Sequence, residues 1–332
     1  FNQDKLEDNM WGYHRTVDQK VNIGSAFFQN EWKNEHWGFL IGGRLDKHNL
    51  IDHVIFSPRA NLRYNPTENI NLRFSYSSGF RAPQAFDEDL HVKNVGGNVA
   101  MVELADNLKE ERSQSLSASA DIYHRFGAFQ VNFLVEGFYT KLSDVFALTD
   151  GEVVDGILTR TRYNAPGARV MGLTLEGKMA YLTKFQVQAG VTLQQSHYSE
   201  PHVWNKEAPA VKKMMRTPNT YGYFTATYTP IKPLSIALSG TYTGSMLVPH
   251  EPVPGFLEKP ITVNTKDFFD IGLKAAYDFK LYKSMNLQVN AGVQNIFNAY
   301  QNDFDKGADR DSGYIYGPSL PRSFFAGVKI SY

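Results

Sequence analysis

Residues 70–91 read INLRFSYSSGFRAPQAFDEDLH, and the two halves of this stretch obey different rules. In the first half Ile70, Leu72, Phe74 and Tyr76 alternate with Asn71, Arg73, Ser75 and Ser77. A period of two sends successive side chains to opposite faces of a strand, so one face is apolar and the other polar. The alternation stops at Gly79. Pro83, with no backbone N–H and a fixed φ, keeps the ladder from continuing into the acidic residues beyond it. The stretch is a two-sided strand that opens into a long loop.

The same rhythm runs outward in both directions. Upstream, Ala60, Leu62 and Tyr64 oppose Arg59, Asn61 and Arg63. Residues 21–32 and 35–46 read as a hairpin across a Lys33-Asn34 turn, with Trp37, Phe39, Ile41 and Leu45 on one face. Residues 1–20 are polar and mixed in charge and read as a loop. Downstream, strands are expected at 115–122, at 129–148 with a return from 157 to 182, and at 185–194, 221–228, 234–243, 269–278, 287–294 and 324–332. The strand 221–228 is less clean, with aromatics on both faces. About thirteen strands result, joined alternately by short turns and by long loops at 79–111, 198–216, 245–266 and 299–321.

Composition narrows the class. No run approaches the roughly 18 apolar residues of a spanning helix, and the mean hydropathy is -0.37, so helical membrane folds are excluded. The 34 basic and 34 acidic residues cancel, which removes the basic field of a nucleic-acid binder. The chain has no cysteine, and so no disulfide scaffold, thiolate metal site or cysteine nucleophile. Aromatics make up 14% of the chain, high for a soluble domain and usual for a barrel with aromatic girdles. Loops that sort by length onto two sides fit an all-β transmembrane antiparallel β-barrel. A soluble β-sandwich also alternates faces but needs a second sheet over its apolar face, whereas a bilayer can cover a barrel. An odd strand number cannot close a simple up-and-down barrel, so strands are expected to be missing at the N-terminal end. With no leader before Phe1, an export signal is expected upstream.

Six motifs, in order, are similar to the carboxy-terminal half of the TonB-dependent outer-membrane receptors. They are GFRAP at 79–83; Asn107-Leu108 followed by Glu111-Arg112-Ser113; VMGLTLE at 170–176; Arg216-Thr217-Pro218; NIFN at 295–298; and GPSLPRSFFAGVKISY at 317–332. The resemblance implies a 22-stranded barrel blocked by an N-terminal plug. Residues 1–332 would supply about the last thirteen strands, while the plug and the first nine strands lie outside this chain. It further implies the outer membrane of a Gram-negative bacterium as the location. The partners it implies are TonB, acting through the missing N-terminal part, the plug and remaining strands, the lipid bilayer and the barrel-assembly machinery, with room for a surface lipoprotein and no nucleic acid. Tyr332 replaces the family's usual Phe, and with Ile330 and Val328 it resembles the barrel-assembly signal.

No nucleophile elbow or two-histidine zinc motif is present, so the chain is not expected to be an enzyme, and neither a resident metal nor a cofactor is expected. The acid groups Asp87, Glu88 and Asp89, and Asp303, Asp305, Asp309 and Asp311, read as solvated loop faces ahead of cation sites. His14, His48, His53, His91, His197, His202 and His250 fall on the long-loop side, and His36 and His124 on the other. His91 loosely matches the histidine of haem receptors, although the motif after it, Asp106-Asn107-Leu108, lacks their proline. Candidate ligand contacts are His91, Trp11, Tyr13, His202, Trp204, Met246, His250 and Tyr316, whereas Trp32 and Trp37 fit an interfacial girdle. The resemblance implies an active transporter importing haem, a ferric siderophore or cobalamin. A passive porin, an oligosaccharide or peptide importer of the same family, and a barrel enzyme with a rim Ser or His stay open as alternatives.

Overall fold

The computed structural model describes the chain except for residues 11–14, 84–99, 150, 155–156, 283, 308–309, 312 and 319, and the described residues contain no helix. In chain order the strands are β1 (Asn2–Met10), β2 (Arg15–Lys33), β3 (Trp37–His48), β4 (Val54–Thr67), β5 (Ile70–Arg81), β6 (Ala100–Leu104) and β7 (Glu111–Phe126). There follow β8 (Phe129–Ser143), β9 (Val145–Leu148), β10 (Glu152–Val154), β11 (Ile157–Ala165), β12 (Ala168–Tyr181), β13 (Phe185–His202) and β14 (Val211–Lys213). The last are β15 (Thr220–Ile231), β16 (Leu234–Thr243), β17 (Leu247–His250), β18 (Ile261–Asn264), β19 (Phe268–Tyr282), β20 (Met285–Gln294) and β21 (Ser323–Ser331).

One antiparallel sheet forms a wall in the order β1-β2-β3-β4-β5-β7-β8-β12-β13-β15-β16-β19-β20-β21, with β14 hung on β13. The register joins the apolar positions into rows. Phe39, Leu62, Phe74, Ala118, Gly137, Leu173 and Leu193 are successive partners from β3 to β13, and Leu238, Leu273, Val293 and Phe324 continue the pattern to β21. These rows are exposed: Phe74 is 50% and Phe324 79% accessible. The buried hydrophobic cluster among the described residues, Met246, Val248 and Tyr314, lies in the loops. A sandwich would have put the strand rows in a dry core, so that alternative fails.

The apolar run has membrane dimensions. Outward positions from Met171 to Tyr181 on β12, and from Phe129 to Tyr139 on β8, span ten residue steps. At about 3.3 Å per step and a tilt of about 45°, that is roughly 23 Å of height, close to the apolar band of an outer-membrane barrel. At the short-turn end rings gather: Trp32 stacks on Phe39 at 5.7 Å, Trp37 on Tyr64 at 4.2 Å, and Phe129 lies 4.6 Å from Tyr181. Amphipathic rings at this level form an interfacial girdle. The polar face is laced across strands, with Asn61 donating to Ser75 at 2.6 Å and the hydroxyl pairs Ser115–Thr140 and Thr174–Thr192 at 2.9 Å.

Two expectations are corrected. Residues 1–20 contain a strand, so the wall path has fourteen members. Asn2 pairs with Ile23, and Ile23 is also the partner of His48 at the far end of β3, so the β1–β2 hairpin rises beyond its neighbour. Asp4, Lys5, Glu7, Asp18 and Lys20 are exposed there. Water on both faces removes the alternation that would have revealed the strand. The strand expected at 129–148 also breaks, at Asp144, whose φ of 55° is left-handed. Beyond the break β9 and β6 join β11 in a separate small sheet.

Candidate functional site in the long loops

The last loop is fastened at its base by the NIFN turn. Asn295 and Asn298 both have left-handed φ, 50° and 54°, a conformation asparagine tolerates better than most residues. The buried Asn295 side chain donates to the carbonyls of Ala299 (2.9 Å) and Leu320 (3.0 Å) and accepts from the Ala299 N–H at 2.8 Å. Asn298 accepts from the Arg322 N–H at 2.9 Å. Above this base the buried Gln301 donates to the Tyr314 carbonyl at 2.9 Å and accepts from the Tyr316 N–H at 2.8 Å, fixing both tyrosines.

Around these tyrosines three loops meet. Met246 and Val248, from the β17 region, pack with Tyr314, and Val263 and Tyr316 lie against them. His250 stacks on Tyr314 with centroids 3.8 Å apart and meets the Asp305 carboxylate at 2.9 Å. Asp303 accepts from the hydroxyls of Tyr314 at 3.1 Å and Tyr316 at 2.6 Å. Burial, then the Asp303 charge, pushes the Tyr314 hydroxyl up to about 12, and the same causes raise Tyr316. Arg216, with a φ of 56°, donates to the Ile315 carbonyl at 2.7 Å and to that of Gly313, while its own N–H reaches the Leu247 carbonyl at 2.7 Å. One residue of the Arg216-Thr217-Pro218 motif thus ties three loops.

A second group binds the earlier loops. Asn164 accepts from the Lys109 N–H at 2.8 Å and donates to the carbonyls of Lys109 (3.0 Å) and Asp144 (2.8 Å). The guanidinium groups of Arg81 and Arg162 approach the Phe146 ring at 5.2 and 5.9 Å. Glu110 accepts from Arg112 at 2.8 Å and meets His53 at 3.0 Å. Its burial favours the neutral acid, yet hydrogen bonds from Arg112, the backbone and His53 prevail and hold the carboxyl below its ordinary value.

Of the candidate ligand contacts, Met246, His250 and Tyr316 come together in the loop cluster. His202 and Trp204 sit on the neighbouring loop, which Asn205 joins to Glu251 at 3.0 Å. The ring of His202 lies 4.8 Å from Tyr198, and the buried Trp204 indole N–H has no acceptor among the described residues. His91, Trp11 and Tyr13 lie outside the described residues, as do Asp87, Glu88, Asp89 and Asp309. The reading of the last acid group as solvated is corrected for Asp305, half-buried, and Asp311, buried, while Asp303 is exposed. Asp303 and Asp305 bind tyrosine and histidine, and Asp311 accepts from the N–H groups of Glu251 (3.0 Å) and Gly313 (2.8 Å). Among the described residues no three His, Asp or Glu side chains are grouped to hold a metal ion. Sequence reasoning missed Asn164, Gln301 and Phe146, because polar or aromatic residues in irregular loops carry no periodic signal.

A wall with an exposed apolar band, a laced polar face and knitted loops on one side defines an outer-membrane β-barrel. The family model "TonB dependent receptor-like, beta-barrel" matches residues 4–296. The chain belongs to this family, whose barrels lie in the outer membrane of Gram-negative bacteria. Solved structures agree in fold. The FrpB iron transporter from Neisseria meningitidis is 18% identical, with a TM-score of 0.63 over 94% of this chain and 45% of that one. The ferric enterobactin receptor PfeA from Pseudomonas aeruginosa is 18% identical, TM-score 0.65, over 95% and 45%. The siderophore receptor PirA from Acinetobacter baumannii is 15% identical, TM-score 0.66, over 94% and 46%. The chain thus spans less than half the length of these proteins. No curated protein sequence matches it.

Proposed function

We propose that this chain forms the C-terminal wall and the mouth of an active importer, in which TonB acts on an N-terminal plug to admit a scarce metal-bearing nutrient complex. A ferric siderophore is the first candidate, with haem and cobalamin in the same class, and any metal arrives with the ligand. The observation that carries this reading is the tying of three exterior loops through Arg216 and the His250–Asp305 pair. A preformed mouth suits a receptor that must hold a bulky complex, since rigid loops lose less entropy on binding. A diffusion porin has no such need. The iron and siderophore ligands named for FrpB, PfeA and PirA favour the same class. His91, Trp11, Tyr13, His202, Trp204, Met246, His250 and Tyr316 are proposed as the residues that line or support the ligand site.

The reading extends to chain organisation. Residues 24–33 of β2 pair with β3 alone, and β21 pairs with β20 alone, among the described residues. Open edges are not sustained in lipid, which supports completion of the barrel by strands outside this chain. Val328, Ile330 and Tyr332 on β21 and at its end are proposed as the assembly signal.

A strain lacking the intact receptor tests the function when grown on a ferric siderophore, haem or cobalamin as sole source. At least one should fail to enter and be restored by the wild-type gene. Normal uptake of all three would refute the reading. Equal loss of small-sugar diffusion would favour a porin, and loss of a hydrolytic activity on changing rim Ser or His to Ala would favour an enzyme.

A further inference from the structure

The lipid-facing side of the wall is not uniform. On β7, β8 and β12 the outward apolar run ends at Leu116, Tyr139 and Met171, partners in one row whose member on β13 is Gln195, one step above Leu193. The next outward row toward the exterior is Gln114, Lys141, Arg169, His197 and Lys213, each the partner of the one before, through to β14. Four of its five members are Lys, Arg or His, and none is a carboxylate. On β5 the row continues with the uncharged Ser78. Lys141 and Arg169 are exposed and His197 and Lys213 half-buried, and none of the four has a hydrogen-bond or ion-pair partner among the described residues. Arg112, one step higher, is already held by Glu110 and His53.

Directly below this row the wall is hollowed. An open groove of about 840 Å³ is lined by Phe74, Ala118, Gly137, Tyr139, Leu173 and Leu193, among others. Ala118 and Gly137 are cross-strand partners in the register and leave the floor low. A Cβ added at Gly137 would meet no atom within 4 Å. Cations spread evenly along the interface would serve as anchors that reach for water. Here four basic residues stand side by side on neighbouring strands, directly above an apolar hollow that opens to the bilayer.

We propose that this flank of the wall binds a phosphorylated, multiply acylated lipid of the outer leaflet, with Lys141, Arg169, His197 and Lys213 on the phosphates and acyl chain in the groove over Gly137. Charge complementarity selects an anionic head group, and the hollow beneath it selects a lipid over a soluble anion. The site lies outside the loop mouth, so it stands independently of the imported ligand.

The test uses the full receptor containing this chain, purified in uncharged detergent and titrated with lipid A, phosphatidylcholine or inorganic phosphate, with bound lipid counted by native mass spectrometry. Lipid A should occupy one saturable site. The triple variant K141Q/R169Q/K213Q should weaken it at least about tenfold, each single variant by about three- to fivefold, and high salt should have the same effect. G137L, which fills open space without touching a charge, should weaken lipid A several-fold. Heat-shifted migration on denaturing gels confirms that each variant is folded; where the triple variant fails this check, the single variants decide. Lipid A affinity unchanged within about twofold in the charge variants, equal binding of phosphatidylcholine, or competition by inorganic phosphate as strong as that of lipid A would overturn the assignment.

Discussion

Asn295 occupies the tightest point of the last loop because it satisfies two demands at once. It adopts a left-handed φ, and its amide makes three hydrogen bonds to the two ends of that loop. Asn295→Ala keeps the unfavourable φ and loses all three bonds, so local opening should become easier by about 2–4 kcal/mol. Hydrogen exchange at the Ala299 amide reads this directly, and Asn295→Gly should recover about 1 kcal/mol by relieving the backbone alone. The tyrosine pair has a pH signature. Because Tyr314 is raised to about 12 and Tyr316 is raised as well, the folded loop keeps protons that an unfolded tyrosine releases near 10. Their contribution to stability is complete below about pH 10 and is lost as pH rises toward about 12. Phenolate absorbance should therefore show a late-titrating fraction that disappears in Y314F/Y316F, and its persistence in that variant would contradict the pairing with Asp303. Little of this was legible in the sequence. NIFN and Arg216-Thr217-Pro218 stood out as motifs, but what they fasten depends on carbonyls from residues far along the chain.

Strands were legible where lipid lies on one face and water on the other, and illegible elsewhere. The rows through Leu62, Phe74, Leu173 and Leu193 alternate in the sequence as they do in the wall. By contrast β1, β6, β10, β14, β17 and β18 lie above the apolar band or in the loops, where the environment imposes no period, and β9 and β11 were legible only as continuations of β8 and β12. The mixed aromatics of 221–228 have a simple cause: Tyr223 lies over Gly190 on the polar face, donating to Glu176, while Phe224 lies over Gly240 on the apolar face. This pairing of a ring with a glycine recurs. A Cβ at Gly292 would stand 2.4 Å from the Phe325 ring and 2.6 Å from the Leu273 carbonyl oxygen. The ring could turn away, but the backbone oxygen cannot, so Gly292→Val should lower barrel stability by about 1–3 kcal/mol. Gly137→Val, with open space at the same atom, should fold like the wild type. Urea unfolding of the two variants distinguishes a local packing constraint from a general intolerance of side chains at strand glycines.

At the scale of the molecule the apolar surface and the open edges express one fact: the wall is stabilised by what surrounds it. The large exposed hydrophobics on its strands would be a liability in water and become favourable contacts in lipid. The sequence carried that inference, since a chain with no long apolar run and a strict two-residue rhythm has few other uses for so many aromatics. Strand number was less accessible. Thirteen became fourteen once β1 was seen, and an even count would allow the sheet to close on itself, which makes the two unpaired edges a genuine test. Cysteines placed at Gln29 and Gly327, on β2 and β21, probe that closure against a background with no native cysteine. Disulfide formation needs the two Cα atoms within about 7 Å of each other. If other strands stand between these edges, Q29C/G327C in the full receptor stays reduced under mild oxidant while single-cysteine controls label freely. Rapid, quantitative cross-linking would mean that fourteen strands close a barrel alone, leaving a lumen too narrow for the plug-gated import proposed above.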